Sequence, residues 1–512
     1  MQLGTILSRH ARYWPHRTAV VHDEWRLTFK EFDGRVNRLA NALISAGIGK
    51  NDKIACVLPN CLEILELYWA VAKIGAVVVP LSPLLTSKAL ATLINHSDAV
   101  MAFVGADHAA ALSLVRSQFP KILDNRHVIV GAARKDYVTY SEFVGAASCT
   151  EPPRVPIDDH DPLMIIYSSG TTGDPKGIVL THYARAMYCT LYASAWRMTP
   201  ESVSLHAGSL VFNGAFMTLL PSFFLGGTYL LHRQFDPEQV LTSIETERVT
   251  HLVLVPSQII ALLDCPTFAP ERLASLQALI SLGATLHLHH KERLVKILAG
   301  RFYEMYGLAE GFMTILDKTD PPAKLGSVGT PPPFFEMRIV GEDGAELPSG
   351  RIVEIVGRGP LMMAGYYGRP DLTDKAIVGG WLHSGDLGYF DDDGYLFLSD
   401  RKKDMIKSGG VSVYPRDIEE IIVQHPAVRD AAVFGIPHEK WGETPVAAVL
   451  LSGLLPITGG ELKAWINANV SAKFQRISDV LIVESFPRNA AGKTLKRAIQ
   501  EEYLLRRSQV TR

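Results

Sequence analysis

Tyr167-Ser-Ser-Gly-Thr-Thr-Gly-Asp-Pro-Lys-Gly-Ile-Val-Leu-Thr181 is the stretch from which the rest of the chain can be read. An apolar run, residues 163–166, precedes it, so a buried strand is expected to lead into an exposed loop dense in small and hydroxyl-bearing residues. Glycines such as Gly170 and Gly173 let a backbone come close to a ligand. The hydroxyls of Ser168, Ser169, Thr171 and Thr172 can donate to phosphate oxygens, and Lys176 adds a mobile cation. This is a phosphate cradle in composition. It is not the P-loop of NTPases, which ends in Gly-Lys-Ser/Thr. Pro175 precedes the lysine here and Gly177 follows it, so the hydroxyl that would hold magnesium is absent. Read alone, the segment also fits a flexible surface loop.

Outward from this loop, the first part of the chain alternates helical and strand-like runs. Residues 27–32 lead into a helix to about residue 46, 53–58 reads as a strand, 62–74 as a helix and 76–80 as a strand. The pattern continues at 128–130, 229–231 and 251–255. Alternation at this length implies βαβ units and largely parallel sheets. Between about residues 324 and 400 short strands are punctuated by turns such as Glu342-Asp-Gly and Asp391-Asp-Asp-Gly394, which predicts a β-rich subdomain. After Asp400 come a basic, glycine-bearing loop, a helix over 416–423, strands around 431–435 and 446–451, and a helix over 460–470.

With 512 residues the chain is too long for one core, and two or more domains are expected. It is 47% apolar and 20% charged with a net charge of −2, which argues against a dedicated nucleic-acid binder. The five cysteines form no CxxC pair, and Cys56 and Cys61 have no histidines nearby in sequence, so a zinc site is not expected. Their odd number fits reduced thiols in a cytoplasm. The most apolar stretch, 216–231, is interrupted by Pro221 and Gly226-Gly227, too broken for an integral membrane span of ~20 residues.

Four further segments carry chemistry. In Met305-Tyr-Gly-Leu-Ala-Glu310 an aromatic before glycine can lie against a flat base, and a carboxylate can hold a metal that bridges phosphates; alone, this would be a structural turn before a helix. In Trp381-Leu-His-Ser-Gly-Asp386 a carboxylate after a glycine turn suits the two hydroxyls of a ribose, or a cap. Asp400-Arg-Lys-Lys-Asp-Met-Ile-Lys-Ser-Gly-Gly410 alone would be a solvated linker, and Phe486-Pro-Arg-Asn-Ala-Ala-Gly-Lys493 alone a surface loop.

Together and in this order, the five segments resemble the adenylate-forming superfamily of acyl-CoA synthetases, peptide-synthetase adenylation domains and beetle luciferases, with the acyl-CoA synthetases closest. Gly357-Arg-Gly-Pro-Leu-Met-Met-Ala-Gly-Tyr-Tyr367, Ile418-Glu-Glu420 and the 435–443 stretch match too, so the likeness runs from about residue 15 to 505. It implies an α/β fold. A large N-terminal domain, 1–400, would hold two α/β-sheet subdomains plus the β-rich one, and a small mobile C-terminal α+β domain, 401–512, would pivot near Lys403.

The resemblance further implies ATP, Mg²⁺ and CoA as cofactor and co-substrates, a small-molecule carboxylic acid as partner, and no nucleic acid. A homodimer is left open. Lys493 would bridge the acid and the α-phosphate, and Thr171, Thr172 and Lys176 would steer pyrophosphate, within a nucleotide site that also holds Ser168, Ser169, Gly170 and Gly173. Glu310 would ligate Mg²⁺. Asp386 and Arg401 would grip the ribose, and Tyr306-Gly307 with Gly283-Ala284 would flank the adenine. Domain rotation would then withdraw Lys493 and present Ser408, Gly409 and Gly410 to the pantetheine arm, with Trp441, Phe474 and Arg476 on the CoA nucleotide; domain packing and a solvated arginine explain that last trio equally well.

Two departures stand out. Position 309 is Ala where the family commonly has Thr, and the usual Pro-Leu-Phe-His histidine falls on Val211, or on Phe212 if the register slips. Asn213 matches the aspartate that pairs the ammonium in α-amino-acid-activating domains, and a buried ammonium without a counter-charge is costly. The acyl pocket is expected from Phe212, Asn213, Phe216, Met217, Val255, Leu282, Leu308, Phe312 and Met313, a lining for an aryl or medium-chain fatty acid, unless these residues only pack the core. The expected activity is an AMP-forming acid:CoA ligase; the alternative is a stand-alone adenylation enzyme that loads a carrier-protein phosphopantetheine.

Overall fold

The strand Lys53–Val57 shows how the sequence builds its layers: Ile54 and Cys56 enter one hydrophobic core, Ala55 and Val57 another. That period of two is what a strand buried on both faces requires. In the computed structural model, which describes residues 1–167, 175–409, 411–453, 455–488 and 493–510, the strand lies inside an eight-stranded sheet. Its inner strands Val77–Pro80, Lys53–Val57, Ala99–Gly105 and His127–Val130 run parallel. A second eight-stranded sheet is built likewise around Val203–His206, His251–Leu254 and Ala278–Ser281, where Leu252 and Val253 again face different cores.

One core contains residues of both sheets, so the helices between them are covered on two sides. Leu62–Ile74 is the clearest case: every residue but Glu63 is buried, the pattern of a helix inside a large protein rather than at its surface. Its two buried charges are paired, Glu66 with Arg35 at 2.6 Å and Lys73 with Asp33 at 2.8 Å. The outer faces carry their own cores under further helices, which makes a stack of helix, sheet, helix, sheet and helix. The architecture is α/β, as the sequence predicts.

An antiparallel five-stranded sheet follows, with Glu336–Val340, Val353–Arg358, Ile377–Val378, Trp381–Phe390 and Leu396–Arg401. The C-terminal unit has separate cores around Ile418, Val433 and Val449 and around Phe434 and Tyr503. Between strands Leu396–Arg401 and Ile406–Ser408 only 402–405 is irregular. The expected basic loop is therefore shortened, with 400–401 and 406–408 in strands.

Two local expectations change. No helix follows Tyr306-Gly307: strand Phe302–Gly307 turns back as an antiparallel hairpin onto Met313–Leu316. Gly307 permits the close return, since a Cβ there would lie 2.8 Å from the Phe312 carbonyl oxygen. Asp386, expected after a turn, sits inside the ten-residue strand Trp381–Phe390. Gly385, at φ +70°, absorbs the irregularity that the sequence suggested would end the strand.

Candidate active site

The strand Pro162–Tyr167 and its antiparallel partner Gly177–Thr181 form a hairpin whose Tyr167 and Gly177 face each other. The phosphate-loop residues Ser168, Ser169, Gly170, Thr171, Thr172 and Gly173 join these strands and lie outside the described residues, as do Gly410 and Gly492. Lys176 is described and opens onto a cavity of about 1340 Å³ between the large body and the C-terminal unit.

Tyr306, Asp386 and Arg401 come together in this cavity. The Tyr306 hydroxyl donates to Asp386 Oδ2 at 2.8 Å, and Arg401 Nε lies 3.2 Å from Oδ1. Strand pairing sets this arrangement, because Asp386 and Arg401 are cross-strand partners. Gly283 and Ala284, just past the strand Ala278–Ser281, line the same space, as do Gly307, Leu308, Ala309 and Glu310. Glu310 accepts a hydrogen bond from the Tyr366 hydroxyl at 3.0 Å, and burial pushes its pKa up. The Lys176 ammonium stands 5.5 Å from the Tyr366 ring centre.

Lys493 also lines the cavity, with Lys403 and Asp404. Burial, then the neighbouring Arg401 charge, brings its pKa down to about 8. The described residues expected to meet CoA are elsewhere. Ser408 is buried, the Gly409 amide donates to the Trp441 carbonyl at 2.8 Å, and Trp441 and Phe474 are among the exposed large side chains of the C-terminal unit. Arg476 follows the short turn Lys473–Gln475, which packs near the strand Val411–Val413. None of these lines the cavity.

Of the expected acyl-pocket residues, Leu308 lines the cavity. Phe212, Asn213, Phe216, Met217, Val255, Leu282, Phe312 and Met313 do not line it. Phe216 packs on Tyr68 with ring centres 5.2 Å apart, and Asn213 Nδ2 donates to the Tyr188 hydroxyl at 2.9 Å.

Sequence reasoning missed several lining residues. Glu304 pairs with the buried Lys291, and its position two before Tyr306 on one strand was the available signal. His287 gave no local signal. On the large body, its Nδ1 is 3.0 Å from Glu420 of the C-terminal unit, and its Nε2 is 4.0 Å from Asp430. Burial lowers the His287 pKa, but the Glu420 hydrogen bond and charge, with Asp430, outweigh it and the net shift is upward. Burial acts on Glu420 in the opposite sense, yet His287 and Arg416 hold that carboxyl down at about 2.

This tie between the two units should respond to pH. With a raised folded pKa, the His287 contribution is complete below its unfolded value of about 6.5 and is lost as pH rises through the folded value. The Glu420 contribution is lost only in strong acid. The Leu288 amide on Glu420, at 3.3 Å, and Arg429 on Asp264, at 3.5 Å, cross the same boundary and keep part of the tie at high pH. Limited proteolysis across 402–405 should accelerate as pH rises through that folded value. In His287→Ala the rate should be high and flat with pH; a flat profile in the unaltered protein would refute the tie.

A large α/β body, a smaller C-terminal unit, and a Tyr–Asp–Arg cluster facing a lysine across the cleft between them define a nucleotide-binding enzyme of the adenylate-forming architecture. The sequence matches the AMP-binding enzyme family over residues 7–367 and the AMP-binding enzyme C-terminal domain over 417–493, and the chain belongs to that family. Among characterised relatives, it is 35% identical to the feruloyl-CoA synthase of an Amycolatopsis species, over 98% of this chain and 99% of that protein. It is 32% identical to the long-chain-fatty-acid–CoA ligase FadD13 of Mycobacterium tuberculosis, over 98% of each. ATP-bound MatB from Rhodopseudomonas palustris superposes with a TM-score of 0.89 at 27% identity, covering 98% of this chain and 99% of that one; apo MatB gives 0.79. Among the described residues, no helix is long and apolar enough to cross a membrane.

Proposed function

We propose that this protein is an ATP-dependent carboxylic acid:CoA ligase that forms AMP and pyrophosphate by way of an acyl-adenylate. A carboxylate is a poor acyl donor because its leaving group would be oxide. Attack of its oxygen on the α-phosphorus of ATP expels pyrophosphate and leaves AMP as the leaving group for a thiol. Negative charge gathers on carboxylate and phosphates in the first step, so fixed cations are the natural catalysts. The observation that supports this reading best is that Lys493 shares one cavity with Asp386, Arg401, Glu310 and Lys176.

In this reading Asp386 accepts from the ribose hydroxyls with Arg401 beside it, and Tyr306 and Gly283-Ala284 flank the base. Lys493 bridges the acid and the α-phosphate, and Thr171, Thr172 and Lys176 guide pyrophosphate. Glu310 fits a magnesium site, because Mg²⁺ is commonly held by one or two carboxylates with the substrate's phosphates completing its shell. The Tyr366 hydrogen bond fixes one oxygen of that carboxylate. The ion would neutralise phosphate charge. The C-terminal unit then turns about Lys403, withdraws Lys493, and brings Ser408, Gly409 and Gly410 to the pantetheine with Trp441, Phe474 and Arg476 on the CoA nucleotide. Lys493 lines the cleft while the Gly409–Trp441 face lies outside it, which agrees with an arrangement for the first half-reaction. The acid is an aryl or medium-chain fatty acid, in keeping with the relatives named for feruloyl-CoA and long-chain fatty acids. Five cysteines without disulfide partners suit a reducing compartment, so a cytoplasmic location belongs to the same reading.

The test is a panel of fatty acids, benzoates, cinnamates and phenylacetate with ATP, Mg²⁺ and CoA, following AMP release. Release with aryl or medium-chain acids that depends on CoA is the expected result. Pyrophosphate exchange without CoA turnover would favour loading of a carrier protein instead, and silence in both assays overturns the ligase reading.

A further inference from the structure

Arg185 is fully buried in the helix His182–Ala195, a rare state for a guanidinium. Among the described residues no carboxylate pairs with it. Among the described residues its Nε and Nη1 have no hydrogen-bond partner, and Nη2 meets the Met164 sulfur at 2.8 Å. The charge lies between two rings, 4.6 Å from the Tyr188 centre and 4.4 Å from that of Phe216. Such contacts offset part of the cost of burying a cation, and burial pulls the Arg185 pKa down. They do nothing for the unsatisfied N–H groups.

A second orphan stands close by. Asn213 uses Nδ2 to bond the Tyr188 hydroxyl, which leaves its buried Oδ1 without a donor. One connected patch thus holds unmet donors on Arg185 and an unmet acceptor on Asn213, joined through Tyr188. The Tyr188 ring packs on Tyr192 with centres 4.9 Å apart, and the Tyr192 hydroxyl meets the Met305 sulfur at 3.8 Å. Met305 lines the cavity. The patch therefore lies behind the cavity wall, at the end expected to take the tail of the acid. A void of about 20 Å³ adjoins Arg185 and Phe216, room for one water-sized group.

We propose, on the footing that the protein is an acid:CoA ligase, that Arg185, Tyr188 and Asn213 form a subsite for a ring hydroxyl at the far end of an aryl acid, so that the substrate class is hydroxyaryl acids. A hydroxyl accepts from the guanidinium and donates to Asn213 Oδ1, meeting both deficits at once. A second carboxylate would serve the arginine but leave the amide oxygen facing negative charge, and an alkyl tail would serve neither. Met305, long and unbranched, is the side chain that has to shift to admit the ring. Arg185 is a specificity determinant here and takes no part in the bond changes.

The experiment compares cinnamate, 4-hydroxycinnamate and 4-carboxycinnamate in the unaltered protein and in Arg185→Met and Asn213→Leu. Polar readout of a substrate hydroxyl supports large discrimination, so kcat/KM should favour the 4-hydroxy acid about 100-fold over cinnamate. Each substitution should cut that ratio to below about 10. Binding of the same acids without ATP or CoA, by calorimetry, should give the same order; this readout separates failure of the subsite from failure of the ligase reading. Thermal melting should be unchanged or higher in Arg185→Met, since a buried unpaired charge is being removed. The proposal is overturned if the unaltered protein does not prefer the hydroxy acid in binding or turnover, if it prefers the dicarboxylate, or if the preference survives both substitutions.

Discussion

Lys493→Ala is expected to slow acyl-adenylate formation by about 100- to 1000-fold, the range seen when one preorganised group that stabilises transition-state charge is removed. Thioesterification of supplied acyl-adenylate should persist near the unaltered rate, because the proposed rotation takes Lys493 out of the cleft before the thiol attacks. The two half-reactions are separable as pyrophosphate exchange and as CoA-dependent consumption of acyl-adenylate. Equal losses in both, or in neither, would contradict the assignment. The depressed pKa adds a second check. Burial first, then Arg401, holds the ammonium at about 8. The cationic form is therefore lost as pH rises through that value, and kcat/KM for adenylation should fall on the alkaline side of about pH 8. Lys493→Ala should lack this limb.

The second large effect belongs to Asp386. Its carboxylate receives the Tyr306 hydroxyl at 2.8 Å and faces Arg401 at 3.2 Å, so it organises the site besides offering acceptors to a ribose. Asp386→Ala should raise KM for ATP in pyrophosphate exchange by about 30- to 100-fold and lower kcat less. A buried hydroxyl left without an acceptor costs about 1–3 kcal/mol. Tyr306 is half-buried and would lose this acceptor, so the variant should also melt at a somewhat lower temperature. Asp386→Asn keeps an acceptor for Tyr306 and should recover most of the stability with only part of the ATP affinity. An unchanged KM for ATP in Asp386→Ala would remove Asp386 from the nucleotide site.

Much of the framework was legible without coordinates. Helix Leu62–Ile74 falls where the sequence predicts it, and the strands Val77–Pro80 and Lys53–Val57 within a residue, because unbroken apolar runs bounded by glycine and proline are local signals. Tyr306 and Asp386 were legible as motifs but not as a pair, being 80 residues apart and joined by sheet pairing. Glu304 could have been found from its alternation with Tyr306. Phe212, Phe216 and Leu282 predict an apolar acyl pocket, and the sequence gives no sign of the buried cation against Phe216. Nothing in the sequence around Arg185 distinguishes it from an arginine on a solvated helix face.

By itself, then, the sequence determined the alternating strands and helices, the phosphate-loop composition and the order of motifs that place the chain among AMP-binding enzymes, since each depends on residues close together along the chain. Only the tertiary structure decided which charges share a space. His287 meets Glu420 across the unit boundary, Lys493 enters the cleft of Asp386 and Arg401, and Arg185 is enclosed by Tyr188 and Phe216. The strength of a charge depends on its burial and on the partners within a few ångströms of it, and both are set by packing between segments that are distant in sequence.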